Sequence, residues 1–76
     1  QESPEQLLLS DEIRHVVFST IEKLPDELRT AITLRELEGL SYEEIADVMG
    51  CPIGTVRSRI FRAREAIDVQ LKPLIS

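Results

Sequence analysis

Seventy-six residues, 42% of them apolar, with a formal net charge of −5, describe a soluble chain with room for one modest core. No apolar run is long enough to cross a bilayer and nothing resembles a signal peptide, so membrane insertion is not expected and the cytoplasm is. A single cysteine and a single histidine, with no Gly-rich phosphate loop and no nucleophile beside a histidine, argue against a disulfide, a metal centre, a cofactor, a small-molecule substrate and catalysis.

The first residue is Gln1 and not Met, as expected of a fragment excised from a longer protein. Ser3 and Pro4 read as a helix cap and a first helical residue. Leu9, Ile13, Val16, Thr20 and Leu24 then share one stripe, which predicts a first helix over about 4–23. Leu7 and Phe18 lie on its other side, either as a partner surface or under a second helix. His15 is expected to face solvent or a neighbour. Pro25 disfavours helix at Leu24 and can open the next one, predicted over about 25–38. Asp26 and Glu27 suit the positive end of that helix. Leu28, Ala31, Ile32, Leu34 and Leu37 spread over more than one side, the pattern of a helix packed between neighbours. Gly39 ends it, and Leu40 tucks in before Ser41.

From Ser41 the chain reads as two helices joined by a short turn, over about 41–71. Ser41 and Glu44 have the spacing of a capping box. Ile45, Ala46 and Met49 supply an inward face, and Gly50 stands where a helix end needs a left-handed residue. Pro52 suits the first position of a following helix, which Lys72-Pro73 is expected to close near Leu71. At about 100° per residue, Val56, Ile60, Ala63 and Ile67 fall in one stripe. Gly54, Ser58, Phe61, Arg62 and Glu65 lie opposite, with Arg57 and Arg59 on the flanks. That is a helix-turn-helix. Its exposed face offers arginines, a serine and an aromatic ring, suited to phosphates, base edges and thymine methyls.

Charge is distributed to match. Residues 1–50 carry four Lys/Arg against twelve Asp/Glu, whereas residues 51–76 carry five against two. Arg57, Arg59, Arg62 and Arg64 stand within eight residues without an acid among them. An acidic chain repels a polyanion overall, so the basic patch predicts weak, local binding, with further affinity supplied by a larger assembly.

The stretch LPDELRTAITLRELEGLSYEEIADVMGCPIGTVRSRIFRAREAI, from Leu24 to Ile67, resembles region 4 of a bacterial sigma factor of the extracytoplasmic-function group, sigma-E-like in type. Within it, CPIGTVRSRIFRAREAID is highly specific, while SPEQLLLSDEIRHVVFSTIEKLP resembles the lead-in helix of the same group more loosely. The resemblance implies an all-α, four-helix domain with a helix-turn-helix and no wing, preceded in the intact protein by a promoter-melting domain. It implies promoter recognition at the −35 element as part of RNA polymerase, in bacterial stress responses. It also implies two protein partners: the β-subunit flap of the polymerase core and an anti-sigma factor. Carried over residue by residue, the recognition helix is about 52–71, and Arg57, Ser58, Phe61 and Arg62 match its DNA-reading positions. Gly54 and Thr55 fall at its start, where backbone N–H groups and the absence of bulk favour phosphate approach. Arg35 and Tyr42 are implied backbone contacts from the preceding helices. Arg59 lies nearer the core edge, where it can serve phosphate or a salt bridge.

Two alternatives remain at this level. The DNA-binding domain of a LuxR-type regulator shares the LSxxEIAxxMG…GTV pattern, but the run RSRIFRAREAI and the long leading helix fit it less well. A helical protein-interaction module that has lost DNA binding fits the acidic balance, and the four clustered arginines oppose it.

Overall fold

Prolines, caps and left-handed glycines cut the chain into four helices, with no strand among the described residues. They are α1 (Pro4–Lys23), α2 (Asp26–Glu36), α3 (Tyr42–Met49) and α4 (Ile53–Ile75). The structure is a computed structural model that describes residues 4–75, with side chains from Ser10 onward. Ser3 and the side chains of Leu7 and Leu9 therefore lie outside the described residues.

The two prolines act one position earlier than first-turn residues would. Pro25 and Pro52 stand at the caps, and each carbonyl accepts from two N–H groups of the helix it precedes. Leu28 and Arg29 donate to Pro25 at 3.0 and 2.9 Å, and Thr55 and Val56 to Pro52 at 3.0 and 3.2 Å. At the α1–α2 corner, the Arg29 guanidinium donates to the carbonyls of Glu22 and Leu24 and pairs with Asp26. It thereby satisfies carbonyls that the end of α1 leaves without partners.

Helix α3 begins with the full capping box. The Glu44 N–H donates to Ser41 Oγ at 3.1 Å, and the Ser41 N–H donates to Glu44 Oε1 at 2.9 Å. It ends at Gly50, whose φ of 63° is a left-handed conformation that costs a side-chain-bearing residue about 1–2 kcal/mol. There the N–H groups of Gly50 and Cys51 both return to the Ala46 carbonyl.

Two helix ends differ from the expectation drawn above. Helix α2 stops at Glu36 and not near Glu38, because the Thr33 carbonyl takes the N–H groups of both Leu37 and Glu38 while Gly39, at φ 73°, reverses the chain. The Leu40 N–H then reaches back to the Leu34 carbonyl at 3.0 Å. Helix α4 continues past Leu71 to Ile75 with Pro73 inside it. A proline forfeits one i→i−4 bond and crowds the carbonyl four residues back. In the last turn few bonds remain to be lost, so Pro73 is carried within the helix.

Helix α4 is the spine. Its stripe of Val56, Ile60 and Ala63 is at most 1% exposed, and together with Leu24, Ala31, Ile32 and Ile45 it makes the core. Helices α2 and α4 each touch the other three helices, whereas α1 and α3 do not meet among the described residues. The expectation of α2 as a helix packed between neighbours holds for Ala31 and Ile32 but not for Leu37, which is exposed. On α1, Thr20 sits in the inward stripe with its hydroxyl donating to the Val16 carbonyl at 2.7 Å, so no polar atom is left unpaired by burial. The Cα radius of gyration is 14.2 Å and the long axis 44 Å, against about 11 Å expected for a round domain of this length. The molecule is drawn out along α1 and α4.

Two predictions follow from this packing. Ile60→Ala should cost about 2–5 kcal/mol, read as a lower urea midpoint, since the site is closed on all sides and cannot collapse freely. The Glu44 carboxylate is held below its ordinary pKa by the Ser41 backbone N–H and, secondarily, the Ser41 hydroxyl. Its contribution is therefore present above the ordinary carboxylate range and is lost as pH falls through the depressed value. Melting followed from about pH 7 to about pH 3 should show this loss in the wild type, and Glu44→Gln, which keeps the box geometry, should remove that component.

Candidate nucleic-acid interface

Once Val56, Ile60 and Ala63 point inward, the period of the helix turns Arg57, Ser58, Phe61 and Arg62 outward, and all four are exposed. Phe61 is 65% exposed, far more than an aromatic side chain serving the core of its own domain. Gly54 is exposed as well, and a Cβ built there would meet nothing within 4 Å. The protein's own packing therefore does not require the missing side chain. Because Pro52 supplies a carbonyl but no side-chain acceptor, the first N–H groups of α4 point out of the helix end without an intrahelical partner. Thr55 is half-buried beside them.

Two shallow depressions flank this end of α4. One, of about 290 Å³, brings Arg57 of α4 together with Arg35, Tyr42 and Ile53. The other, of about 480 Å³, gathers Gly54, Thr55, Ser58, Arg59 and Arg62 of α4 with Glu27 and Leu28 of α2. Every residue singled out for DNA contact except Phe61 thus borders one of these two hollows, and Phe61 stands free on the face between the arginines.

The arginines are not equivalent. Arg57 and Arg62 are exposed, whereas the Arg59 side chain is only 20% exposed and leans toward α2. Its guanidinium lies 3.6 Å from Glu27 Oε2 and donates to Cys51 Sγ at 3.7 Å. Arg64 reaches across to α2 and donates to Glu36 Oε1 at 2.6 Å. That hydrogen bond raises the Arg64 pKa further, against a small opposing desolvation, with lesser help from the charge of Glu36 and from Tyr42. Tyr42 is shared: the Arg35 guanidinium lies over its ring, 5.0 Å from the centroid, and donates to the Leu40 carbonyl at 2.9 Å. Arg35 therefore braces the α2–α3 turn and presents Tyr42 next to Arg57.

Reading along the sequence did not anticipate Glu27 and Glu36 as the partners of Arg59 and Arg64. They lie 32 and 28 positions away, and no local spacing connects them. The stacking of Arg35 on Tyr42 was likewise not foreseen, although both residues had been singled out.

Residues 14–67 match the family described as Sigma-70, region 4. The chain belongs to that family. Region 4 here is also 71% identical over 73 residues to the ECF RNA polymerase sigma-E factors of Escherichia coli (strain K12) and Salmonella typhi. It is 69% identical over 74 residues to the RNA polymerase sigma-H factor of Pseudomonas aeruginosa. These alignments cover 96–97% of this chain but 38% of each relative, so the chain spans well under half the length of the relatives it matches. The four helices seen here are the fold that the resemblance of Leu24–Ile67 implied.

In this region 4 domain, the Arg35 brace gives a direct test. Arg35→Ala removes a charge-assisted hydrogen bond and a cation–π contact and should cost about 1–3 kcal/mol in urea unfolding. Tyr42→Phe keeps the ring and should cost less than about 1 kcal/mol. A Tyr42→Phe loss as large as that of Arg35→Ala would show that the Tyr42 hydroxyl, which lies beside Arg64, matters as much as the brace.

Proposed function

We propose that this domain reads promoter DNA at the −35 element as the C-terminal part of an extracytoplasmic-function sigma factor bound to RNA polymerase in the bacterial cytoplasm. The observation that carries the reading is the outward face of α4, where Ser58, Phe61 and Arg62 are exposed opposite the buried Val56–Ile60–Ala63 seam and Arg57 is exposed on its flank. A helix anchored on one side and offering guanidinium, hydroxyl and aromatic groups on the other is suited to lie in a major groove. In this reading Arg62 gives a bidentate fork to a guanine, Ser58 bonds a neighbouring base or phosphate, and Phe61 meets a thymine methyl. Gly54 and Thr55 admit a phosphate to the start of α4, and Arg57, Arg35 and Tyr42 hold the backbone on the other flank.

The polymerase flap and an anti-sigma factor are proposed to engage the opposite end. There Val17, Phe18 and Ile21 of α1, Leu37 after α2 and Ile67 of α4 line an apolar groove of about 260 Å³. The LuxR-type reading is not favoured by the family match over residues 14–67.

The test uses holoenzyme and a set of promoters, each with one substituted −35 base. Arg62→Ala should lose about 1–3 kcal/mol on the preferred promoter and tolerate substitution at one position, while the other positions keep their penalties. A uniform loss across the set would remove Arg62 from base reading. Wild-type holoenzyme indifferent to every −35 substitution would leave the protein-interaction module as the better account.

A further inference from the structure

The second hollow beside α4 holds a charge that DNA recognition does not call for. Glu27, in the first turn of α2, lines it together with Ser58, Arg59 and Arg62, so the pair it makes with Arg59 sits inside the hollow. Its side chain is 72% exposed and lies 3.6 Å from the Arg59 guanidinium. The neighbouring acid, Asp26, is already paired with Arg29. Arg59 is thus drawn toward α2 and toward Cys51 Sγ, while the arginines two before it and three after it remain exposed.

We propose that Glu27 is a positioning residue of the DNA interface, whose carboxylate holds Arg59 off the phosphate backbone and so limits the domain's sequence-independent affinity. This rests on the reading of α4 as a DNA-binding helix. A cation that reaches phosphate contributes to binding on every sequence alike and releases counterions as it does so. A carboxylate at the rim of the same hollow opposes phosphate on every sequence alike. Holding Arg59 against Glu27 removes one anchor and leaves one acid near the groove. The base-facing groups on Ser58, Phe61 and Arg62 are untouched. An isolated domain built this way is a weak binder that leaves most of its affinity to the assembly around it.

Because the Glu27 side chain is 72% exposed, losing its carboxylate should not unfold the domain. The experiment measures binding of this 76-residue chain to a −35 duplex and to a scrambled duplex, by fluorescence anisotropy over a range of salt. The proteins are the wild type, Glu27→Gln, Glu27→Ala, Arg59→Ala and the Glu27→Gln/Arg59→Ala pair, each checked for helical circular dichroism. Both Glu27 variants should bind both duplexes several-fold more tightly, with a log–log salt slope steeper by about 0.9, the increment for one added phosphate contact. In the Arg59→Ala background the steepening should vanish. A purely structural Glu27 would lower the melting temperature and leave the slope alone. An unchanged slope, weaker binding, or steepening that persists without Arg59 overturns the proposal. Equal wild-type binding to the two duplexes counts against promoter reading alone. Absence of all wild-type DNA binding overturns both.

Discussion

Everything in this domain depends on one side of α4. Val56, Ile60 and Ala63 are closed off from water and form the core with Leu24, Ala31, Ile32 and Ile45, and α1, α2 and α3 all pack against the helix that carries them. Ala63 matters as much as the larger pair, because a small residue lets another helix approach closely. Helix α3, only eight residues long, would not persist alone in water. It is held by its capping box at one end, by the left-handed Gly50 at the other, and by Ile45 pressed into this same seam. The outward face of α4 inherits its orientation from that anchoring: the side that packs decides which side is presented.

Electrostatics divides the molecule along the same helix. The first fifty residues are strongly acidic and the remainder is basic, so α4 carries a positive face on a negative body. Ion pairs among the described residues stitch the halves together, Arg59 with Glu27 and Arg64 with Glu36. In each the carboxylate is exposed, so their strength as ion pairs is small. Their importance is geometric, since they direct two of the four clustered arginines inward to α2 and leave Arg57 and Arg62 facing out. A basic run in sequence is thus resolved by the fold into supports and free cations.

Much of this was legible in the chain because short-range rules govern it. The extent of α1, the Ser41–Glu44 box, the turn at Gly50 and the seam of α4 follow from periodicity and capping, which act within a few residues. The failures share a physical cause. The end of α2 was placed two residues late because Leu37 and Glu38 have ordinary helical character. What stops the helix is the doubly used Thr33 carbonyl. Pro73 reads as a stop, but a proline in a last turn has little left to disrupt. The spread of apolar residues over several sides assigns Leu37 to a packed helix, yet it is exposed, because hydrophobicity alone does not tell an inner face from an outer one. The pairing of Arg59 with Glu27 and the brace of Arg35 on Tyr42 depend on where separate helices meet, which no spacing along the chain encodes.

The length of α4 has a mechanical meaning. Twenty-three residues make a rod of about 34 Å, with Gly54 and Ser58 toward one end, Arg62 and Ile67 on either side of its middle, and Leu71 toward the other end. A tilt of about 5° displaces one end by about 3 Å relative to the other, roughly the rise of two helical residues. The rod passes through a close-packed seam that resists continuous deformation, so it moves as a lever and does not bend to absorb strain. A displacement imposed at the Leu71 end of this rod is therefore carried to the Gly54–Ser58 end, and the two ends of α4 are mechanically coupled.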